Sequence, residues 1–242
     1  DIDQQAVRSV HAHLSSFDDH EIRNNWVSDR DNWKLGLDSE DPDAASPEVF
    51  MLKKQAAMQA WYEHMPVRRS LLPRGGMVAM NREFRYGDLM AMQVLDTRQY
   101  RDNQPCGDGF KPACPDVYAK DAQVLGKAQE EWLGRNLAKG GATWNAFAQQ
   151  VTMMSLDRRR KADEPKKIVN LDSWAGYEAP RERILSRMAG LKNCVVLTGD
   201  EHQNFCGDLV LKDKVVGAEF VATSISSGGD GSDQRRGAER RQ

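Results

Sequence analysis

The strongest structural pattern in the sequence is Cys194-Val195-Val196-Leu197-Thr198-Gly199-Asp200-Glu201-His202. Its first five residues are good β-formers and predict a buried strand, and Gly199 predicts a turn directly after it. The turn carries Asp200 and His202, which can converge on one ion at the end of the strand, where ligands of layered α/β proteins bind. Carboxylate and imidazole together suit iron, manganese or zinc, and calcium accepts the oxygens. Alternatively, this segment is a surface turn without a ligand.

Strand and helix patterns alternate around this segment. Residue 46 is a serine and residue 47 a proline, which are typical of a helix cap and a first helical turn. Residues 99–123 are predicted as a loop. The alternation predicts an α/β layered domain. Strands are expected at residues 89–96, 143–151, 168–170, 194–198, 205–211 and 218–225, and helices at 47–64, 127–137 and 180–188.

A second group of acids with a histidine lies near the start of the chain, in Phe17-Asp18-Asp19-His20-Glu21. Taken alone, this segment is also typical of an acid-rich helix N-terminus. Because both groups combine carboxylates with an imidazole, we expect them to meet at one metal centre. The candidate residues are Asp19, His20, Asp200 and His202.

The composition excludes several classes of protein. Among 242 residues, 34 Lys and Arg nearly balance 36 Asp and Glu, which gives a net charge of -2. Nucleic-acid-binding proteins are usually basic, so no nucleic-acid scaffold role is expected. No apolar run approaches the ~18 residues of a transmembrane segment, and no signal peptide opens the chain.

The four cysteines give one structural prediction. Cys106 and Cys114 enclose a turn-rich segment, and we expect a disulfide there, with two free thiols as the alternative. Cys194 begins the buried strand and should be a free apolar thiol. The spacing lacks the CxxC pattern of a zinc cluster.

Several longer motifs follow one another through the chain. On these motifs the sequence resembles the PhoD family of alkaline phosphatases and phosphodiesterases, within the calcineurin-like metallophosphatases. The resemblance extends from residue 1 to about residue 231. The motifs are Phe17-Asp18-Asp19-His20-Glu21 with Asn24-Asn25, Leu95-Asp96-Thr97-Arg98-Gln99-Tyr100-Arg101, Leu125-Gly126 with Gln129 and Trp132-Leu133, Gln149-Gln150-Val151, Asp172 with Trp174 and Gly176-Tyr177, Leu197-Thr198-Gly199-Asp200 with His202, and Glu219-Phe220-Val221 with Thr223-Ser224-Ile225-Ser226-Ser227.

The resemblance implies part of a four-layer α-β-β-α sandwich with a metal centre at the strand edges. It implies iron and calcium as cofactors, hydrolysis of phosphate monoesters and diesters, and a periplasmic or secreted location. It makes His20 the catalytic histidine and Asp19 a metal ligand. It also implies that Asp200 lies on the calcium side of the centre and His202 on the iron side.

Three further side chains are candidates for binding the phosphate ester. Arg98 or Arg101 would clamp the phosphate, because a guanidinium offers a two-pronged donor. The alternative for both is a structural ion pair with Asp96 or Asp102. Gln150 would lie near the second metal, and its alternative is a role in strand pairing or contact with solvent.

The sequence departs from the family's pattern in its metal ligands. The motifs that supply the family's thiolate, phenolate and bridging carboxylate have no counterpart before residue 18, and Ala175 stands where the family commonly has aspartate. Residues 1–231 are therefore interpreted as a partial catalytic domain, truncated at both ends, and residues 232–242 as a polar tail. A partner chain could supply the missing half. Alternatively, the chain is a non-catalytic structural or binding subunit, or a piece of a longer protein.

Overall fold

The computed structural model describes residues 2–29, 46–159 and 166–224, and a mixed six-stranded sheet lies at its centre. The polar tail predicted at 232–242 lies outside these residues. The strands are β1 (Arg82–Tyr86), β2 (Met90–Val94), β3 (Phe110–Pro112), β4 (Trp144–Gln149), β5 (Ile168–Asn170), β6 (Cys194–Thr198), β7 (Phe205–Leu211) and β8 (Lys214–Val221). The α-helices are α1 (Ile2–Val10), α2 (Pro47–His64), α3 (Lys127–Leu137) and α4 (Glu178–Met188).

The central sheet has a parallel middle and antiparallel edges. Its strand order is β1-β2-β4-β6-β8-β7, and β3 pairs with β5 in a separate two-stranded sheet. Strand β6 runs parallel to both β4 and β8. The carboxyl ends of these strands therefore share one edge, and the residues that follow β6 emerge there.

Helices lie against both faces of this sheet. Successive strand residues point to opposite faces, so Val94 and Leu95 belong to two different cores. On the Leu95 side, α3 and α4 contribute Leu133 and Ile184 to the larger core. On the Val94 side, α2 packs together with the segment around Phe17 and Trp26. The fold is thus α/β as predicted, while the second large sheet of a four-layer sandwich stays a prediction.

The sequence predicted most elements of this sheet, including the edge strand β7, but missed the other edge strand, β1. The bounds predicted for α2, α3, β5, β6 and β7 match those observed. Strand β8 was placed four residues too late, because β7 turns into it through Lys212 and Asp213, both with positive φ and neither a glycine. The predicted loop at 99–123 was wrong in part, since it contains β3. The edge strand β1 carries charged residues and gave no strand pattern.

Among the described helices, none combines the length and apolar character needed to cross a membrane.

A buried lysine lies in the smaller core. The Lys54 side chain in α2 is 1% exposed, and its Nζ donates to the Ser28 carbonyl at 2.7 Å. The ammonium lies 4.7 Å from the centroid of the Trp26 ring. Burial lowers the pKa of Lys54 to about 8, although Asp96 and Asp29 oppose this shift.

Lys54 should make stability rise with pH in the alkaline range. Between pH 8 and about 10.5 the unfolded chain binds a proton that folded Lys54 has released, so the contribution of Lys54 to the free energy of unfolding increases with pH. Relative to Lys54→Met, we expect the unaltered chain to gain about 3 kcal/mol across this window. Urea unfolding at a series of pH values measures it, with the exposed Lys53→Met as control. Parallel pH profiles for the unaltered chain and Lys54→Met would contradict this expectation.

Candidate metal centre

Three carboxylates meet beyond the end of β6. Asp18, Asp19 and Asp200 each offer an oxygen, and these atoms lie within 4.8 Å of one another. Asp19 is buried, and Asp18 and Asp200 keep partial exposure, with side chains 24% and 15% accessible. An ion bound here would therefore touch both the protein and an incoming ligand.

The first two acids are held by aromatic anchors on either side of them. Phe17 and Trp26 are both buried in the smaller core, and they pin a tight turn between them. The Trp26 indole Nε1 donates to the Asp18 carbonyl at 3.1 Å. The Asn25 backbone N–H donates to Asp19 Oδ2 at 2.9 Å. The buried aromatic residues and these two hydrogen bonds together hold the turn that carries the carboxylates.

The third acid is aimed by the turn after β6. Asp200 has φ 66°, a left-handed conformation that aspartate tolerates better than most residues. The Gly199 N–H donates to the Gln150 carbonyl at 3.2 Å and ties the turn to the end of β4. The next carboxylate, Glu201, pairs instead with Arg158. Asp200 is therefore the acid of this turn that joins the cluster.

A fully buried arginine lies under the three carboxylates. Arg98 Nε donates to Asp18 Oδ1 at 2.7 Å, and its Nη1 lies 2.8 Å from Asp172 Oδ2. Its Nη2 lies 3.7 Å from Asp200 Oδ1 and 4.0 Å from Asp19 Oδ2, both too long for hydrogen bonds. Within the described part of the chain, Nη2 has no hydrogen-bond partner. One donor of Arg98 thus faces the gap between two acids of the cluster.

The site carries more negative than positive charge. Arg98 and Arg101 contribute two positive charges, and four carboxylates surround them, so the net charge is -2 when all are ionised. The four are Asp18, Asp19, Asp172 and Asp200. Burial raises the pKa of Asp18 to about 6, and the Asp19 carboxylate adds to this, while Arg98 opposes it. Burial and the Asp18 carboxylate raise the pKa of Asp200 well above its usual range. Such uncompensated charge is the electrostatic environment that a divalent cation would neutralise.

The two predicted histidines lie outside this cluster. The His20 side chain is 72% exposed at its rim, with Nε2 3.9 Å from Asp19 Oδ2. His202 is exposed two residues after Asp200, and its ring is not among the ligand atoms that lie within 4.8 Å of one another. Asp18, for which no role was predicted, is the third member of the cluster instead. The only available signal was its position beside Asp19.

The structure also places the three predicted substrate-binding side chains. Arg101 is buried against the Tyr177 ring, 4.8 Å from its centroid, and its Nη2 donates to the Asp172 carbonyl at 2.7 Å. Gln150 donates to the Leu95 carbonyl and accepts from Thr97, which links the ends of β2 and β4.

The alternative ion pairs with Asp96 and Asp102 were wrong in their partners. Asp96 instead accepts the backbone N–H of Arg98 at 3.0 Å and closes the turn after β2. Asp102 Oδ2 accepts the backbone N–H of Gln123 at 2.8 Å. Both arginines pair with Asp172, which lies two residues after the end of β5.

Cys106 and Cys114 are joined by a disulfide. Of the other two cysteines, Cys194 is free and buried, and Cys206 is free and exposed. Burial raises the pKa of the Cys194 thiol to about 11, so it remains protonated at neutral pH.

The chain belongs to the PhoD-like phosphatase family, whose sequence profile matches residues 1–242. It is 40% identical to alkaline phosphatase D of Bacillus subtilis (strain 168), over 97% of this chain and 39% of that protein. A solved structure of PhoD is similar with a TM-score of 0.79 and 41% sequence identity, over 91% of this chain and 41% of the other. The chain therefore spans about two fifths of the length of these relatives.

Removing one carboxylate should affect cation binding and stability in opposite directions. We expect Asp200→Asn to weaken calcium binding at least about tenfold, because affinity depends on the number of charged oxygen ligands. Without cation, the same change should raise the free energy of unfolding, since it removes a carboxylate that burial and the Asp18 carboxylate both destabilise. Calorimetric titration and urea unfolding measure the two effects, with the exposed Asp208→Asn as control. Equal calcium affinity in Asp200→Asn and the unaltered chain would contradict the assignment.

Proposed function

We propose that this chain forms part of the active site of a phosphate ester hydrolase, and that Asp18, Asp19 and Asp200 hold a divalent cation there. The observation that carries the proposal is the net negative cluster at the strand edge of a chain in a phosphatase family. The substrates are phosphate monoesters, diesters or both. The proposal keeps Asp19 and Asp200 as ligands and adds Asp18.

The donor set fits calcium better than iron. Three carboxylates are hard oxygen ligands of the kind that calcium prefers, and the partial exposure of two of them leaves positions for water or substrate. Iron stays a prediction, because among the described residues no thiolate or imidazole joins the carboxylates within 4.8 Å. His202 is proposed as an iron ligand that needs further ligands from outside the described residues.

A bound cation would supply charge neutralisation at the phosphoryl oxygens and a more acidic water molecule. The chain's own contribution begins with Arg98. Its Nη2, which has no hydrogen-bond partner among the described residues, faces the gap between Asp19 and Asp200 and is proposed to donate to a phosphoryl oxygen. Asp172 and Asp18 hold the guanidinium in that orientation. Arg101 and Gln150 are also proposed to lie near the substrate. Arg101 contributes mainly by holding Asp172, and Gln150 by linking the ends of β2 and β4.

His20 is proposed as the general acid. It lies at the exposed rim of the cluster, next to Asp19, where a leaving group would depart. A histidine can give a proton to the leaving oxygen near neutral pH, which general acids must do during ester cleavage.

The location and the partner are further parts of the proposal. The disulfide between Cys106 and Cys114 supports a periplasmic or secreted protein, because such bonds persist in oxidising compartments. The remaining iron ligands would come from outside the described residues, either from the same protein or from a separate partner chain. A non-catalytic binding subunit is the alternative.

Metal content and turnover measured on the purified chain separate these functions. The proposal predicts bound calcium and hydrolysis of p-nitrophenyl phosphate or bis(p-nitrophenyl) phosphate, by the chain alone or with its partner. A chain without metal that gains no activity from added calcium, iron or a co-purifying partner would favour the binding subunit.

Changing the histidine and the ligand should have different effects. His20→Ala should lower turnover about 10²–10⁴-fold, the usual contribution of a general acid, and leave metal content unchanged. Asp200→Ala should lose metal and turnover together. His64→Ala, an exposed histidine at the end of α2, is the control. Full activity of His20→Ala on a substrate with a poor leaving group would contradict the acid role.

A further inference from the structure

The disulfide-closed loop lies directly beside the acidic cluster. We define it as the clamp loop, residues 104–114, which contains the Cys106–Cys114 bond and β3. Gln104 and Asp108 in this loop are 4% and 2% exposed, although both carry polar side chains. Buried polar groups need partners inside the protein, and these two share one.

That shared partner is Asn25. Gln104 Nε2 donates to the Asn25 carbonyl at 2.8 Å, and Asn25 Nδ2 donates to Asp108 Oδ2 at 2.9 Å. The clamp loop thus holds Asn25 by its backbone and by its side chain. Asn25 has φ 52°, and fixing its orientation from two sides selects this sparsely populated conformation.

Asn25 passes this restraint on to a cluster acid. Its backbone N–H donates to Asp19 Oδ2 at 2.9 Å. The Asn25 N–H belongs to the peptide before the Asn25 Cα and the Asn25 carbonyl to the peptide after it, so the clamp loop, which holds the carbonyl and the side chain, restrains the N–H through the Cα that joins them. Gln104 Nε2 also donates to Asp172 Oδ1 at 2.7 Å, the carboxylate that pairs with Arg98. The clamp loop therefore contacts Asn25, which holds Asp19, and Asp172, which holds Arg98.

We propose that Asn25 is a positioning residue for Asp19, and that the clamp loop keeps it in place. The inference rests on the proposed function, in which Asp19 binds a cation. Groups that hold a metal ligand through a hydrogen bond commonly change metal affinity about 10–100-fold when they are removed. Asn25 does this through its main chain, so the side chains to test are those that hold Asn25.

The disulfide explains how a short loop can do this. Cys106 and Asp108 both have positive φ, at 55° and 54°, so the loop backbone is held away from its common conformations. The cross-link spans eight residues and limits the alternative shapes of this segment. Lys111 Nζ adds hydrogen bonds to the carbonyls of Cys106 and Gly107, at 3.1 and 2.9 Å.

Substitutions at residue 108 test the inference on the full chain. Asp108→Gly removes the acceptor while glycine accepts the positive φ, so folding should be retained. Asp108→Asn keeps an oxygen for Asn25 and should rescue the effect. Asp116→Ala removes one negative charge from an exposed position just beyond the loop and is the electrostatic control. The readouts are calcium affinity by calorimetry, hydrogen exchange of the Asn25 backbone amide, and the free energy of unfolding.

The expected pattern is specific to positioning. Asp108→Gly should bind calcium about 10–100-fold more weakly and exchange the Asn25 amide at least about tenfold faster. Asp108→Asn and Asp116→Ala should stay within about twofold of the unaltered chain in calcium affinity. A Cys106→Ser/Cys114→Ser double variant should change in the same direction as Asp108→Gly.

The inference is overturned if Asp108→Gly lowers the free energy of unfolding but leaves calcium affinity and exchange of the Asn25 backbone amide unchanged, because the role of Asp108 is then merely structural. A separate case arises if the unaltered chain binds no calcium. The proposed cation site then fails by itself, and the Asn25 amide decides: faster exchange in Asp108→Gly supports the tether, and equal exchange overturns it.

Discussion

The site depends on the burial of one positive charge, the guanidinium of Arg98. A buried ion is very costly unless carboxylates surround it, and removing one partner from such a pair typically costs about 3–5 kcal/mol. Asp18 and Asp172 meet this requirement at 2.7 and 2.8 Å. Asp18 follows Phe17, and Asp172 lies just after β5. Their ion pairs with Arg98 therefore hold two distant parts of the chain at the edge of the sheet. Arg98 therefore organises the fold around the site as well as the site itself.

Among the described residues, the same arrangement brings together more carboxylates than guanidinium groups. The sheet edge is kept rigid beneath it, because buried Glu219 accepts the backbone N–H groups of Met153 and Met154 at 2.8 and 2.7 Å. Glu219 also accepts the Thr198 hydroxyl at 2.6 Å, at the last residue of β6. A rigid edge with repelling carboxylates is suited to a hard cation, since the donors are already in place before it binds. A cation bound as proposed would offset the repulsion between these carboxylates.

The sequence predicted the strand that precedes Asp200, but not that Asp18 would lie beside Asp200 in the cluster. The five β-formers of β6 gave its bounds correctly, because burial in a parallel sheet demands such residues. Which side chain among Asp18, Asp19 and His20 turns inward depends on how the surrounding aromatic residues pack, and no local pattern encodes that. The pairing of Arg98 with Asp172 joins residues 74 positions apart. Only tertiary structure reveals that contact, so sequence reasoning assigned the arginine nearer acids.

The most direct measurement is anomalous X-ray diffraction from crystals of the chain grown with manganese, which substitutes for calcium at oxygen sites and scatters strongly enough to locate. The account predicts one manganese peak bonded to carboxylate oxygens of Asp18, Asp19 and Asp200, at about 2.1–2.5 Å, beside an Arg98 still paired with Asp172. A peak bound elsewhere, or an empty cluster at millimolar manganese with the three carboxylates turned apart, would contradict it.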